Sequence, residues 1–178
     1  LVDRGNKIVA TPDGGYLLGG SSESDAGFEK SQNNKQGFDY WLVKVNAQGI
    51  KQWDKSYGGG PGSFDDNDFL SVLLPTSDGG YLIGGSSESD MGFEKSENSR
   101  QYIDYWVVKI DANGNKLWDK TFGGIDYDYL YDIVETDDGG YLLAGHAEDD
   151  DEGPAFDKTA PERGRTDYWI VKIDANGT

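Results

Sequence analysis

The chain has no cysteine, one histidine, one methionine and five prolines among 178 residues. Without cysteine there is no disulfide and no thiolate chemistry, although the compartment stays open because many exported bacterial proteins also lack it. With His146 as the one histidine, neither a nucleophile–histidine relay nor a His-rich zinc site is supported. Positive charge is scarce: 16 Lys and Arg against 33 Asp and Glu leave a net charge of −17. That field repels phosphate backbones and anionic lipid, which disfavours nucleic acid and membrane surfaces as partners. No apolar run nears the roughly 18–20 residues that span a bilayer, so membrane insertion is not expected. No leader is visible and the chain opens on Leu1, so it reads as a piece of something longer.

Aromatic residues make up 13% of the chain, and they recur at fixed places, which argues for a packed fold over disorder. Asp-Gly-Gly-Tyr stands at Asp13–Tyr16, Asp78–Tyr81 and Asp138–Tyr141; Asp-Tyr-Trp stands at Asp39–Trp41, Asp104–Trp106 and Asp167–Trp169. Trp-Asp-Lys follows at Trp53–Lys55 and Trp118–Lys120. The segments Asp13–Lys55 and Asp78–Lys120 align without a gap and match at roughly 30 of 43 positions, a duplication.

Each unit predicts four short strands. Strand A covers Asp3–Thr11, Asp68–Thr76 or Asp128–Thr136; strand B covers Tyr16–Gly20, Tyr81–Gly85 or Tyr141–Gly145. The Asp-Gly-Gly between them permits the positive φ of a tight hairpin. Strand C covers Tyr40–Asn46, Tyr105–Asp111 or Tyr168–Asp174, with Trp106, Val108 and Ile110 alternating against Tyr105, Val107 and Lys109. Strand D covers Lys51–Tyr57 or Lys116–Phe122. No segment carries a 3.6-residue apolar period, so almost no helix is expected. The predicted fold is all-β: propeller-like tandem four-stranded antiparallel blades, about 2.75 of them, at 1–57, 58–122 and 123–178. The third lacks its last strand. A blade cannot bury both of its faces alone, so partners are expected to be further blades of the same chain or a second copy of it.

The run Asp-Gly-Gly-Tyr-Leu-Leu, Glu-Lys-Ser and Asp-Tyr-Trp-Val-Val-Lys-Ile-Asp-Ala-Asn-Gly-Asn-Lys-Leu-Trp-Asp-Lys-Thr-Phe-Gly-Gly resembles a repeat of large exported proteins of Bacteroidetes-type bacteria. The resemblance implies a propeller-like fold, a secreted or cell-surface location and the type IX secretion route. Trp-Asp also ends WD40 units, but the period of 60–65 residues is too long and no Gly-His precedes it.

The long B–C insertions hold the candidate chemistry. Ser21–Phe38 and Ser86–Ile103 share Ser-Ser-Glu-Ser-Asp-x-Gly-Phe-Glu-Lys-Ser, and His146–Thr166 is longer and richer in acid. Insertions of this length are commonly functional or disordered. Their carboxylates and hydroxyls are the hard oxygen ligands that Ca2+ prefers, without the spacing of an EF-hand. Calcium is therefore the candidate cofactor, with Asp25, Glu29, Asp39, Asp90, Glu94 and Asp104 as metal contacts. Two equivalent sites are expected, and a third insertion that binds differently or not at all. Set against this, the same acids can cap turns, and Asp39, Asp104 and Asp167 sit where a carboxylate accepts backbone N–H groups before strand C. The acids at Asp65, Asp66, Asp68, Asp126 and Asp128 offer a second cation site, with a solvated loop the stronger reading. His146 reads as a loop residue and the five tryptophans as inter-blade core.

Acids that recur in every unit behave as scaffold, whereas glycoside hydrolysis needs one unlike pair. The expected function is a non-catalytic extracellular scaffold, adhesin or filament element stabilised by calcium. A lectin-like propeller binding surface glycans through Tyr57, Phe69, Phe122, Tyr127, Tyr129 or Tyr131 is the alternative, and a glycosidase stands well behind.

Overall fold

A computed structural model describes residues 1–62, 65–148, 156–159 and 164–178. Eleven strands and no helix occur among them: β1 Asp3–Ala10, β2 Tyr16–Ser22, β3 Asp39–Val45, β4 Lys51–Tyr57, β5 Asp68–Pro75, β6 Tyr81–Ser87, β7 Asp104–Ile110, β8 Lys116–Phe122, β9 Asp128–Glu135, β10 Tyr141–Glu148 and β11 Thr166–Ile173. They form three antiparallel sheets in the orders β1-β2-β3-β4, β5-β6-β7-β8 and β11-β10-β9. Each is a meander of consecutive hairpins, as a propeller blade is built.

The hairpin turns follow from their residues. Gly14, Gly79 and Gly139 take φ of 80°, 86° and 78°, and Asp13, Asp78 and Asp138 each accept the N–H of the glycine two residues on. Strand C closes each turn with a lysine: Lys44, Lys109 and Lys172 reach Asp13, Asp78 and Asp138 at 2.8, 2.8 and 2.9 Å. Strand A carries one bulge per blade, at Asn6, Ser71 and Tyr131, each skipped in the pairing with strand B. A bulge re-aims one side chain out of the pleat, and Asn6 and Ser71 each aim at the next blade.

Sheets stack in chain order. β5 packs on β1, β2 and β3, and β9 on β5, β6 and β7, while the first and third sheets do not meet. One apolar cluster fills each junction: Leu17, Tyr40 and Leu42 with Ile83, Trp106 and Val108 in the first, and Leu82, Tyr105 and Val107 with Leu130, Ile133 and Leu143 in the second. The middle sheet is covered on both sides, and every residue of β6 and β7 is buried. Strand β11 alternates exposed and half-buried until Ile173. Each fully buried large apolar side chain contributes about 1.5–3 kcal/mol, so the middle blade carries the greater share of the stability. Trp53 and Trp106 pack in the first junction and Trp118 and Trp169 in the second, whereas Trp41 lies on the open side of the first blade.

Strand B of the third blade continues further than its sequence pattern suggested. His146 lies within β10, paired with Tyr168, and its ring is 4.9 Å from Tyr129 and 5.2 Å from Tyr131. It is a strand residue because the last hairpin keeps its ladder as far as Glu148 and Thr166.

Candidate functional site

The insertions fold back onto their own blades through one four-residue turn. In the first, Gly27 and Lys30 exchange backbone hydrogen bonds of 2.9 and 3.0 Å; in the second, Gly92 and Lys95 do the same at 3.0 and 2.9 Å. The residue after the glycine, Phe28 or Phe93, sits at φ 48°, a left-handed conformation rare for a bulky side chain. The turn sends the phenylalanine ring outward and the lysine inward.

Lys95 is buried. Its Nζ donates to Ser87 Oγ and to the Ser89 carbonyl, and Ser89 Oγ donates to Asp68 Oδ1 at 2.8 Å. Lys30 repeats this at 3.0 Å from Ser22 Oγ, with Ser22 in turn donating to Asp3. In the third blade Ala147 replaces the serine, and Lys158 lies directly on Asp128 at 3.1 Å. The third insertion thus keeps the phenylalanine–acid–lysine turn, with Phe156 at φ 53°. Its acid run at 149–152 lies outside the described residues.

The reading of Asp68 and Asp128 as solvated loop acids is corrected: both are fully buried. They open strand A beneath the insertion lysine and accept the N–H of Gly59 and Gly124, respectively. The preceding glycine of each pair makes room for the strand-C aspartate. A Cβ on Gly58 would come within 2.0 Å of Asp39 Oδ1, and one on Gly123 within 1.6 Å of Asp104 Oδ1. Each Gly-Gly pair therefore joins three charged groups: an aspartate of its own blade and the aspartate and lysine of the next.

Burial pushes these carboxyls up: Asp39 to about 7, Asp68 to about 6 against the pull of Lys95, and Asp128 to about 7; Asp104 is raised for the same reason. Burial pushes Lys95 and Lys30 down, opposed by Asp68 and Asp39 respectively. At the exposed turns the direction reverses. The Lys44 and Thr11 hydrogen bonds hold Asp13 far below the usual range, as those of Thr136 and Lys172 hold Asp138.

The six carboxylates named from the sequence take separate places. Asp25 accepts from Asn34 N at 3.3 Å and Asp90 from Ser99 N at 3.1 Å. Asp39 accepts from Lys35 N at 2.9 Å and Asp104 from Arg100 N at 2.6 Å, the turn-fixing role that their position suggests. Glu29 is exposed and gives its carbonyl to Lys51. Glu94 pairs with Lys35 of the preceding insertion at 2.9 Å, and Asp157 pairs likewise with Arg100 at 3.3 Å, a clasp between successive insertions. Calcium takes six to eight oxygens around one point. Among the described residues no three Asp, Glu, His or Cys groups converge in that way, neither Asp25, Glu29 and Asp39 nor Asp90, Glu94 and Asp104.

Two further elements escaped the sequence reading. The aspartate of Trp-Asp-Lys, Asp54 or Asp119, accepts the indole N–H of Trp41 or Trp106 and a backbone N–H of the insertion, while pairing with Lys51 or Lys116. The phenylalanines at the turns are exposed: Phe28 at 110%, Phe93 at 65% and Phe156 at 61% of full accessibility. The phenylalanine turn was legible in principle, since the spacing of Phe, acid and Lys recurs in all three units. No protein-family model matches the sequence, and no curated protein matches it at a significant level.

Proposed function

We propose that the chain is a non-catalytic module of an exported or cell-surface protein, a scaffold that carries adhesive tips. The observation behind this reading is the turn that recurs in all three insertions. In each, a phenylalanine sits at positive φ with its ring in water, anchored two residues later by a lysine seated on its blade, through serines for Lys30 and Lys95 and directly on Asp128 for Lys158. Left-handed backbone at a bulky residue costs on the order of 1–3 kcal/mol, and such strain concentrates where a side chain has a task. Three apolar tips on a surface of charge −17 suit contact with an apolar or polysaccharide-coated surface. The buried acids recur blade by blade as joints of the scaffold, which supports the non-catalytic assignment. Calcium enters the reading as a counter-ion that eases the repulsion of the acidic surface.

The test is adsorption to alkyl-coated and polysaccharide-coated sensor surfaces. Phe28→Ala/Phe93→Ala/Phe156→Ala should reduce retention at least tenfold with an unchanged circular dichroism spectrum. Equal retention would remove the adhesive role.

A carbohydrate-binding reading is favoured by one feature. Tyr102, Tyr127 and Tyr129 form a stacked row, with centroids 5.1 and 6.4 Å apart, beside the third blade. Flat aromatic faces of this kind hold sugar rings. A glycan array on which Tyr127→Ala loses a specific signal would prefer it.

A further inference from the structure

The two outer faces of the stack are the two halves of its internal junctions. In the first junction Tyr40 donates its hydroxyl to the Trp106 carbonyl at 3.1 Å with the rings 4.8 Å apart. In the second, Tyr105 does the same to Trp169 at 3.2 Å and 4.7 Å. The corresponding tyrosine on the outer face of the third blade is Tyr168, 94% exposed, beside Ile170 at 59%. The corresponding tryptophan on the outer face of the first blade is Trp41, beside Ile8 at 64%. Such matching alone would suit any further blade.

Two exchanges of size make the match specific. Inside the stack, strand B presents a glycine to a leucine of the next blade's strand A. A Cβ on Gly19 would come within 2.7 Å of Leu70, and one on Gly84 within 2.9 Å of Leu130. On the outer face of the third blade the glycine position holds Ala144; on the outer face of the first blade the leucine position holds Gly5. The bulge residue varies in the same sense. Asn6 donates to the Leu70 carbonyl at 2.7 Å and Ser71 to the Leu130 carbonyl at 2.6 Å, both small side chains facing a leucine. The third bulge is Tyr131, and its counterpart across the contact is again Gly5. Where the third blade has grown, the first has shrunk, and a hollow of about 570 Å³ lined by Gly5, Leu18, Gly20 and Trp41 stands there.

We infer that the third blade of one chain docks on the first blade of a second copy, head to tail, with Tyr131 and Ala144 filling the hollow over Gly5 and Tyr168 stacking on Trp41. The contact is heterologous: each copy offers one face of each kind, so it closes a ring or extends a filament. The inference deepens the scaffold reading yet rests on blade geometry alone, and association can fail while adsorption through the phenylalanine tips persists.

The experiment is sedimentation velocity on the 178-residue chain over a wide concentration range, with two variants. Tyr168→Asp disables the third-blade face, and Ile8→Asp/Leu18→Asp disables the first-blade face; all three residues are exposed, so each chain should fold, as checked by circular dichroism. Wild type should associate, each variant alone should be monomeric, and an equimolar mixture should form a one-to-one dimer through the two intact faces. Gly5→Leu should weaken wild-type association at least tenfold, and adding Ala144→Gly with Tyr131→Ser should restore it. A wild type monomeric throughout, variants that self-associate like wild type, or a mixture that stays monomeric would each overturn the inference.

Discussion

Lys158 Nζ lies 3.1 Å from Asp128 Oδ1, a direct ion pair where the second blade places Ser89 between its lysine and its aspartate. The loss of one hydroxyl, from Ser22 and Ser87 to Ala147, accompanies the change. The lysine is thus the insertion's anchor in all three blades, and the serine relay is one of two ways to seat it.

Lys95→Met should therefore cost about 3–5 kcal/mol, because it strands the buried carboxylate of Asp68 without a compensating cation. Lys30→Met should cost less, since Asp3, the carboxylate it reaches through Ser22, is exposed. Urea unfolding measures both, and Lys95→Met/Asp68→Asn should recover part of the loss. Equal, small effects at both positions would show that the insertion is held otherwise.

The Gly-Gly pairs after strand D should tolerate no side chain. Gly123→Ala forces a Cβ into the carboxylate of Asp104 and should destabilise by about 1–3 kcal/mol. Asp104→Ala in the same chain should relieve the collision, so the two changes should be markedly non-additive in a double-mutant cycle.

Stability should fall as pH rises from about 5 to about 7.5. Asp39, Asp68 and Asp128 have folded pKa values raised by burial to about 7, 6 and 7, above the ordinary aspartate value. Between those limits the folded chain binds more protons than the unfolded one, so raising the pH through 6 to 7 removes stability. Asp13 and Asp138, lowered by their hydrogen bonds with Thr11, Lys44, Thr136 and Lys172, act oppositely: their contribution is present above the ordinary aspartate range and fades in strong acid. The Tm should peak near pH 4–5. A Tm that climbs steadily from pH 5 to 8 would contradict these assignments.

The strands were legible because their signals are local. Asp-Gly-Gly marks a turn, and alternation along Tyr105–Ile110 marks a strand buried on both faces. Asp39 and Asp104 could likewise be read as turn-fixing acids from their place before strand C. The seating of Lys95 on the blade that starts at Asp68 was not legible, because it joins residues 27 apart whose charges look solvated in isolation.

Calcium should raise the Tm relative to EDTA, and magnesium at the same millimolar concentration should do so equally. The ground is the net charge of −17, which divalent ions of either kind screen, together with the lack of three convergent ligands among the described residues. A shift specific to calcium and lost in Asp25→Ala/Asp90→Ala would instead assign a sited ion to the insertions.

Phe28→Gly should make the chain more stable and less adhesive. At φ 48° a glycine pays none of the steric cost that a phenylalanine does, and the Phe28 ring, fully exposed, contributes no packing that its removal would forfeit. A gain of about 1 kcal/mol is expected, read as a rise in Tm, while Phe28→Ala should show no gain because alanine keeps the strained backbone. If the tips serve adhesion, both variants should lose retention on alkyl-coated surfaces to the same extent, although their stabilities move apart. A glycine variant that is less stable than wild type would show that the ring packs against its own blade, and the turn would then be an element of the fold with no task at the surface.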